Sequence, residues 1–262
     1  MTTEALLSCR EVTVRFGGIV ALDSVSFDVP SGVVYGLIGP NGAGKTTLFN
    51  CLSRLYRYQS GDLLFQGASL TGRSSHDIAR LGIGRTFQNL AMFATMSVER
   101  NIMVGAHCRS RAGFAATALR LPVVRQEEDR LAARATEIID YLDLRAVRHK
   151  AVASLPFGVQ KRVELGRALA ADPTLLLLDE PAAGLSHEEL AGLAALIRDI
   201  RDRLNITVLL VEHHMNLVMS VCDRIAVLNF GRRIAEGTAG EIQRHPEVIA
   251  AYLGKPAHAQ AA

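Results

Sequence analysis

Tryptophan is absent from the 262 residues, and aromatic side chains make up only 5%. A platform for stacking single-stranded bases needs several exposed rings, so nucleic acid is not an expected partner. One-sided charge is missing too: 29 Lys and Arg against 26 Asp and Glu leave a formal net charge of +3. No basic run interleaves with aromatics, which argues against a polyanion-binding surface. The four cysteines, Cys9, Cys51, Cys108 and Cys222, lie nowhere within metal-ligand spacing of one another and form no CxxC. They read as reduced thiols of a cytosolic protein. No apolar stretch approaches the roughly 18 to 20 residues needed to cross a bilayer. The first twelve residues carry an early acid, Glu4, and no signal-peptide core. A cytoplasmic chain is expected, held at any membrane only by a partner.

What is present is an α/β pattern. Leu7–Phe16 alternates, with Val12, Val14 and Phe16 on one face, and predicts a strand. A second strand, Ala21–Val29, ends at the turn signal Pro30-Ser31-Gly32. Val33–Ile38, Leu175–Leu178 and Ile206–Val211 are short apolar runs without alternation, as in strands buried on both faces. Thr46–Leu55 has helical apolar spacing, residues 62–67 predict another strand, and Glu188–Leu204 is an amphipathic helix. Arg224–Leu228 and Arg233–Glu236 flank Asn229-Phe230-Gly231 as a hairpin. Residues 97–144 change character: Glu127–Leu142 is helical and 109–122 is loosely patterned, so this region reads as a helical insertion into an α/β core. No internal repeat occurs, which gives one such unit per chain.

Between a buried strand and a helix stands Gly39-Pro40-Asn41-Gly42-Ala43-Gly44-Lys45-Thr46-Thr47, a full match to GxxxxGK[ST]. Its glycines let backbone N–H groups turn inward and approach phosphate, and the following helix points its positive end at the anion. Lys45 suits the β- and γ-phosphates of ATP, and the Thr46 hydroxyl suits Mg²⁺. A chance match in a chain of this length has a probability of about one in a hundred at ordinary residue frequencies, before the flanking strand and helix are counted. Phosphoryl transfer to water further needs a metal ligand and an oriented water. Asp179 and Glu180, closing the strand Leu175–Leu178, fit as the Mg²⁺ partner and as the group that polarises the water.

With these motifs in this order, the chain resembles the nucleotide-binding subunits of ABC transporters over nearly its full length. The resemblance implies a P-loop NTPase core of the α/β class, a RecA-like mixed sheet flanked by helices, with an antiparallel β subdomain and a helical subdomain. It implies one such domain over residues 1–254 with the helical subdomain at roughly 89–165; the tail at 255–262, rich in Ala, Pro and His, is expected to be disordered on its composition. Gln88, in Arg85-Thr86-Phe87-Gln88-Asn89, matches the glutamine that contacts Mg²⁺ or water and hinges towards the membrane partner. By itself it would read as a surface loop residue. His213 matches the switch histidine at the γ-phosphate. His214 competes, but the family pattern places the histidine after the strand and one residue, here Glu212. Phe16 resembles the ring that stacks on adenine, although its alternation with Val12 and Val14 fits a buried face equally.

Two segments depart from the family. Its LSGGQ signature corresponds to Leu155-Pro156-Phe157-Gly158-Val159, with a helix over Val163–Ala170 after it. Gly158 is kept, but Pro156 has neither hydroxyl nor N–H. Contact with ATP held by a partner subunit then falls to backbone amides around Gly158, or is weakened. Ser186 stands where the family often has an aspartate. The segments Gly82–Asn89, the long insertion after Asn101, Pro181–Leu185, Val211–Met215 and the ending His245–Gly254 resemble the LivG-type ATPases of branched-chain amino acid importers. That resemblance implies ATP hydrolysis at the cytoplasmic face of the inner membrane. It also implies a second ATPase subunit in a homo- or heterodimer, two transmembrane permeases and an extracytoplasmic solute-binding protein. Lipid or lipopolysaccharide exporters share some of these features. A mainly regulatory nucleotide-binding subunit is the alternative raised by Pro156 and Val159. A soluble ABC ATPase on ribosomes or DNA is disfavoured by the single nucleotide unit and by the lack of coiled-coil arms.

Overall fold

The structure, a computed structural model, describes residues 5–87, 91–109 and 122–253. They form two compact units: one from the residues up to 75, 177–182 and those from 186 on, the other from residues between 76 and 176 and 183–185.

The first unit opens with the antiparallel pair β1 (Ala5–Phe16) and β2 (Ile19–Pro30). Next come β3 (Val34–Ile38) and α1 (Lys45–Leu52), then β4 (Ser60–Phe65) and β5 (Ala68–Ser69). One sheet has the order β2-β1-β4-β5. Val12 and Val14 are fully buried, but Phe16 is 46% exposed. Register shifts at Cys9/Val12, Val12/Val14 and Val14/Arg15 break the strict alternation, and Phe16 ends up beside the Gly17-Gly18 turn, off the core face. The helix α1 stops three residues short of the expected Leu55. The Ser53 hydroxyl donates to Phe49 O at 2.9 Å, and Arg54 turns left-handed at φ +56°.

The second unit holds α2 (Ser75–Leu81) from its second residue, then β6 (Ile83–Arg85), α3 (Val98–Ala106), α4 (Pro122–Tyr141) and α5 (Phe157–Ala170). Its core is aliphatic, with Ile102, Ile138, Ile139 and Leu142 all buried. Burying such a side chain is worth about 2 kcal/mol. Asn101, also fully buried, shapes the preceding loop. Its Oδ1 accepts from Phe93 N, and its Nδ2 donates to Phe93 O, Met96 O and Ser97 O at 3.0–3.3 Å. Gly82 O accepts from Thr174 N and Leu175 N, which sets β6 beside the start of β7 (Leu175–Asp179).

From β7 the chain returns to the first unit through α6 (His187–Leu204), β8 (Thr207–Val211), α7 (Met215–Val221), β9 (Arg224–Asn229), β10 (Arg232–Gly237), α8 (Ala239–Arg244) and α9 (Pro246–Leu253). Its second sheet runs β10-β9-β3-β8-β7. β3 pairs in parallel with both β8 and β9, and β9 and β10 form the expected antiparallel hairpin. Every residue of β3, β7 and β8 is buried, as their unbroken apolar runs require. Ser186 caps α6: its Oγ accepts from Glu189 N, and Glu189 Oε2 accepts from Ser186 N at 2.8 Å. Its place in the chain is therefore explained by helix capping. Among the described residues no helix is long and apolar enough to cross a membrane. The thiols form no disulfide, and burial pushes Cys9 and Cys222 up to about 12 and Cys51 to about 11.

Candidate functional site

In a parallel sheet, loops leave the carboxyl ends of the strands side by side, and ligands bind there. Three such loops matter here: those after β3, β7 and β8.

The loop after β3 is Gly39–Gly44, and α1 starts at Lys45. Gly44 is the N-cap in the left-handed region, with no side-chain cap, and the first turn of α1 contains no acid. The amides there have neither an intrahelical nor a capping acceptor, so the helix start suits an anion. Glycine is required for close approach at both ends of the loop. A Cβ on Gly39 (φ +153°) would stand 2.1 Å from Leu228 O, and one on Gly44 (φ +103°) 2.6 Å from Ala21 O. Asn41 and Gly42 are exposed at the crest, Pro40 is half-buried, and Ala43 is buried. Gly231 N donates to Ala43 O at 3.1 Å. Thr46 is exposed and Thr47 half-buried.

Lys45 is only 7% exposed, and its Nζ donates to Gly39 O at 2.7 Å and Pro40 O at 3.0 Å. The ammonium thus lies across the loop's own carbonyls. Burial pulls its pKa below the ordinary lysine value, and the opposing charges of Glu180 and Asp179 offset part of that. Asp179, 3% exposed, closes β7. Glu180, half-buried, follows at φ +48°, a left-handed conformation that costs a non-glycine residue about 1 kcal/mol or more. It is held by Glu180 N donating to Val211 O at 2.9 Å.

After β8, His213 Nδ1 stands 3.9 Å from Glu180 Oε1, with half of its side chain exposed. His214 stacks tilted against it at 4.6 Å. His213, and not His214, is the histidine that stands beside Glu180. Lys45, Asp179, Glu180 and His213 therefore converge, from loops far apart in the chain. Phe16 sits on the β1–β2 hairpin, its ring edge-on to Tyr56 at 5.3 Å, and is exposed enough to offer a face to a planar ligand. Gln88 lies outside the described residues.

Gly158 belongs to the second unit, in the first turn of α5. This helix begins at Phe157, six residues before the expected Val163. Pro156 is its N-cap at φ −55°, a value proline holds without strain, and Gln160 N donates to Pro156 O at 3.0 Å. Gln160 Nε2 also donates back to Leu155 O at 2.8 Å. The amides of Phe157, Gly158 and Val159 have no carbonyl one turn back within the helix, which leaves them for an anion.

Four further residues shape these loops. Glu212, fully buried, accepts amides from two of them. An acid closing an apolar strand is the signal that could have singled it out. On α5, Glu164 Oε1 accepts from Phe87 N at 2.9 Å and Arg167 donates to Ala91 O, so both flanks of residues 88–90 are tied to that helix. Burial holds Arg167 below the usual guanidinium range. Near the chain's end, the Tyr252 hydroxyl comes under the influence of the Gly39 amide. Burial, the larger influence, pushes that hydroxyl up to about 12.

The assembled loops form an anion cradle with a buried lysine, faced by two carboxylates and a histidine. Comparison with known proteins agrees with that chemistry. A family model described as "ABC transporter" matches residues 22–183, and one described as "Branched-chain amino acid ATP-binding cassette transporter" matches residues 232–258. The chain is 40% identical over 250 residues to the high-affinity branched-chain amino acid transport ATP-binding protein BraF of Pseudomonas aeruginosa, covering 95% of this chain and 98% of that one. It is 39% identical to LivG of Escherichia coli K12, a protein of the same description, over 97% of this chain and 99% of that one. Among solved structures, a nucleotide-free ATP-binding cassette from an ABC transporter superposes with a TM-score of 0.84 at 28% identity, covering 96% of this chain and all of that one. The ADP conformation of an ATP-binding cassette gives the same TM-score and coverage at 29% identity. The chain belongs to the ATP-binding cassette family of ABC transporters.

Proposed function

We propose that this chain is the ATP-hydrolysing subunit of an importer for branched-chain or related amino acids. The convergence of Lys45, Asp179, Glu180 and His213 on one anion cradle carries the hydrolysis. Full-length likeness to BraF and LivG, together with the matched C-terminal segment, supports the amino-acid cargo.

The amides of Gly39–Thr47 and the Lys45 ammonium bind the phosphates of ATP, and Phe16 stacks on the base. On binding, Lys45 exchanges the carbonyls of Gly39 and Pro40 for phosphate oxygens. The oxygen donors of Thr46, Asp179 and Gln88 suit Mg²⁺, which would neutralise charge on the phosphates. Glu180 accepts a hydrogen bond from the attacking water and takes its proton. The water oxygen bonds to the γ-phosphorus as the bond to the β–γ bridging oxygen breaks, leaving ADP and phosphate. His213 donates to the γ-phosphate as charge builds there.

A partner ATPase subunit, the same chain or a sister, contributes its residues equivalent to Gly158 and neighbours to this site. Two permeases and an extracytoplasmic solute-binding protein complete the assembly, which places this chain at the cytoplasmic face of the inner membrane. Residues 1–254 act as one nucleotide-binding domain, its helical subdomain spanning roughly residues 89–165. Glu180→Gln tests the mechanism: the variant is expected to bind ATP, accumulate ATP-bound dimers and lose turnover. Undiminished turnover would refute the assignment of Glu180.

The missing hydroxyl at Pro156 favours one second reading, a mainly regulatory nucleotide-binding subunit. Lys45→Ala in this chain alone, within the assembled transporter, decides it. Persisting transport and hydrolysis would mark a regulator.

A further inference from the structure

Glu212 is fully buried at the end of β8, and the proposed reaction uses none of its atoms. A carboxylate taken out of water is tolerated only when its oxygens are satisfied. Here backbone amides of two loops satisfy them. Oε1 accepts from Ala182 N at 2.7 Å. Oε2 accepts from His213 N at 2.9 Å and from His214 N at 3.1 Å. Ala182, itself fully buried, lies two residues beyond Glu180. The main chain ties the same two loops once more, through Glu180 N and Val211 O. His213 Nδ1 stands 3.9 Å from Glu212 Oε2 as well as from Glu180 Oε1.

We propose that Glu212 is a positioning residue whose carboxylate clamps the loop after β7 to the loop after β8 and so holds Glu180 and His213 in register. The inference rests on the roles given to those two residues above. A carboxylate suits the place because it accepts on both sides. A glutamine of the same size has one oxygen and one amide group, so either way round it sets an N–H against an N–H, and one side of the clamp opens. Glu180 is the residue most exposed to that loss, because its left-handed backbone persists only while its surroundings over-determine it.

The test is Glu212→Gln in the full-length chain, assayed for Mg-ATP hydrolysis and for backbone amide hydrogen exchange. The expected result is a fall in kcat of about 10- to 100-fold, the scale of a small misplacement of reacting groups. KM for ATP should stay within about twofold, because the phosphate loop is untouched. Exchange should quicken in peptides around 180–185 and 211–215 and stay unchanged around 39–52. Glu212→Asp keeps the charge but is one methylene shorter; it should give an intermediate kcat, and it carries the comparison if the glutamine variant does not fold. An unchanged kcat overturns the proposal. So does a rise in KM that matches the fall in kcat, or faster exchange throughout the chain, since either would mark a residue that merely supports the fold. His213→Ala, run in parallel, separates the two levels. Wild-type kcat in that variant removes the role of His213 itself, whereas an impaired His213→Ala beside an unimpaired Glu212→Gln removes only the clamp.

Discussion

The starts of α1 and α5 both suit an anion, yet they are built in opposite ways. At α1 the N-cap is Gly44 in a left-handed conformation, pressed so close to Ala21 O that only glycine fits. At α5 the N-cap is Pro156 at φ −55°, where no steric demand singles out one residue type. Both leave first-turn amides without helical acceptors. The first therefore tolerates no change of sequence, while the second tolerates departure from the family pattern, because the amides do not depend on the side chains that carry them. A match to GxxxxGK[ST] and a broken LSGGQ are thus compatible in one competent chain.

The largest expected effect removes the one side chain at α1 that amides cannot replace. Lys45→Ala should lower steady-state ATP hydrolysis by about 10²- to 10³-fold, the scale set by losing one preorganised donor to developing charge. Next comes the backbone of the same loop. Gly44→Ala puts a Cβ 2.6 Å from Ala21 O at φ +103°, so the loop must shift. ATP affinity should fall by at least about tenfold, as for about 1.4 kcal/mol of strain. Equilibrium binding of a fluorescent ATP analogue measures it. Wild-type affinity in Gly44→Ala would show that the α1 start is as tolerant as that of α5, and the contrast would collapse. Pro156→Ser should do much less. It restores a capping hydroxyl worth up to about 1 kcal/mol to the helix, and ATPase should change by less than about threefold, because the amides of Phe157, Gly158 and Val159 lack a helical acceptor without that hydroxyl's help. A gain well beyond that in steady-state rate would assign the missing hydroxyl a catalytic weight that the backbone does not replace.

The same contrast explains what was legible in the sequence. The buried strands β3, β7 and β8 were visible as unbroken apolar runs, and the loop after β3 as a steric pattern of glycines, because in both cases the local sequence bears the constraint. Phe16 was ambiguous: strict alternation would bury it with Val12 and Val14, and only the register shifts along β1 turn it out. The start of α5 was hidden because Pro-Phe-Gly looks like a turn until Pro156 is seen to accept from Gln160 N. Glu212 passed as a neighbour of His213, since one of its partners, Ala182 N, lies 30 residues back. Tyr252 meets Gly39 from the far end of the chain. Chemistry held by local backbone geometry shows in a motif; support supplied from distant strands does not.

A third helix start sharpens the comparison at the smallest expected effect. At α6, Ser186 Oγ accepts from Glu189 N and the Glu189 carboxylate from Ser186 N in a reciprocal capping box, and the negative charges of Glu188 and Glu189 in that first turn close this helix start to an anion. Ser186→Ala should lower stability by about 1 kcal/mol, the usual value of a lost N-cap, read as a shift in the denaturant midpoint at constant slope. ATP affinity and kcat should stay at wild-type values, because α6 starts seven residues beyond Glu180 and its cap hydrogen-bonds within the helix start itself, not to the phosphate loop or His213. A fall in kcat with unchanged stability would assign Ser186 to the reacting site and make α6 a third anion-facing helix. If stability falls and the kinetics hold, then glycine, proline and serine at the three N-caps mark three distinct uses of the same helix geometry: a cradle fixed by sterics, a tolerant backbone surface and a closed structural cap.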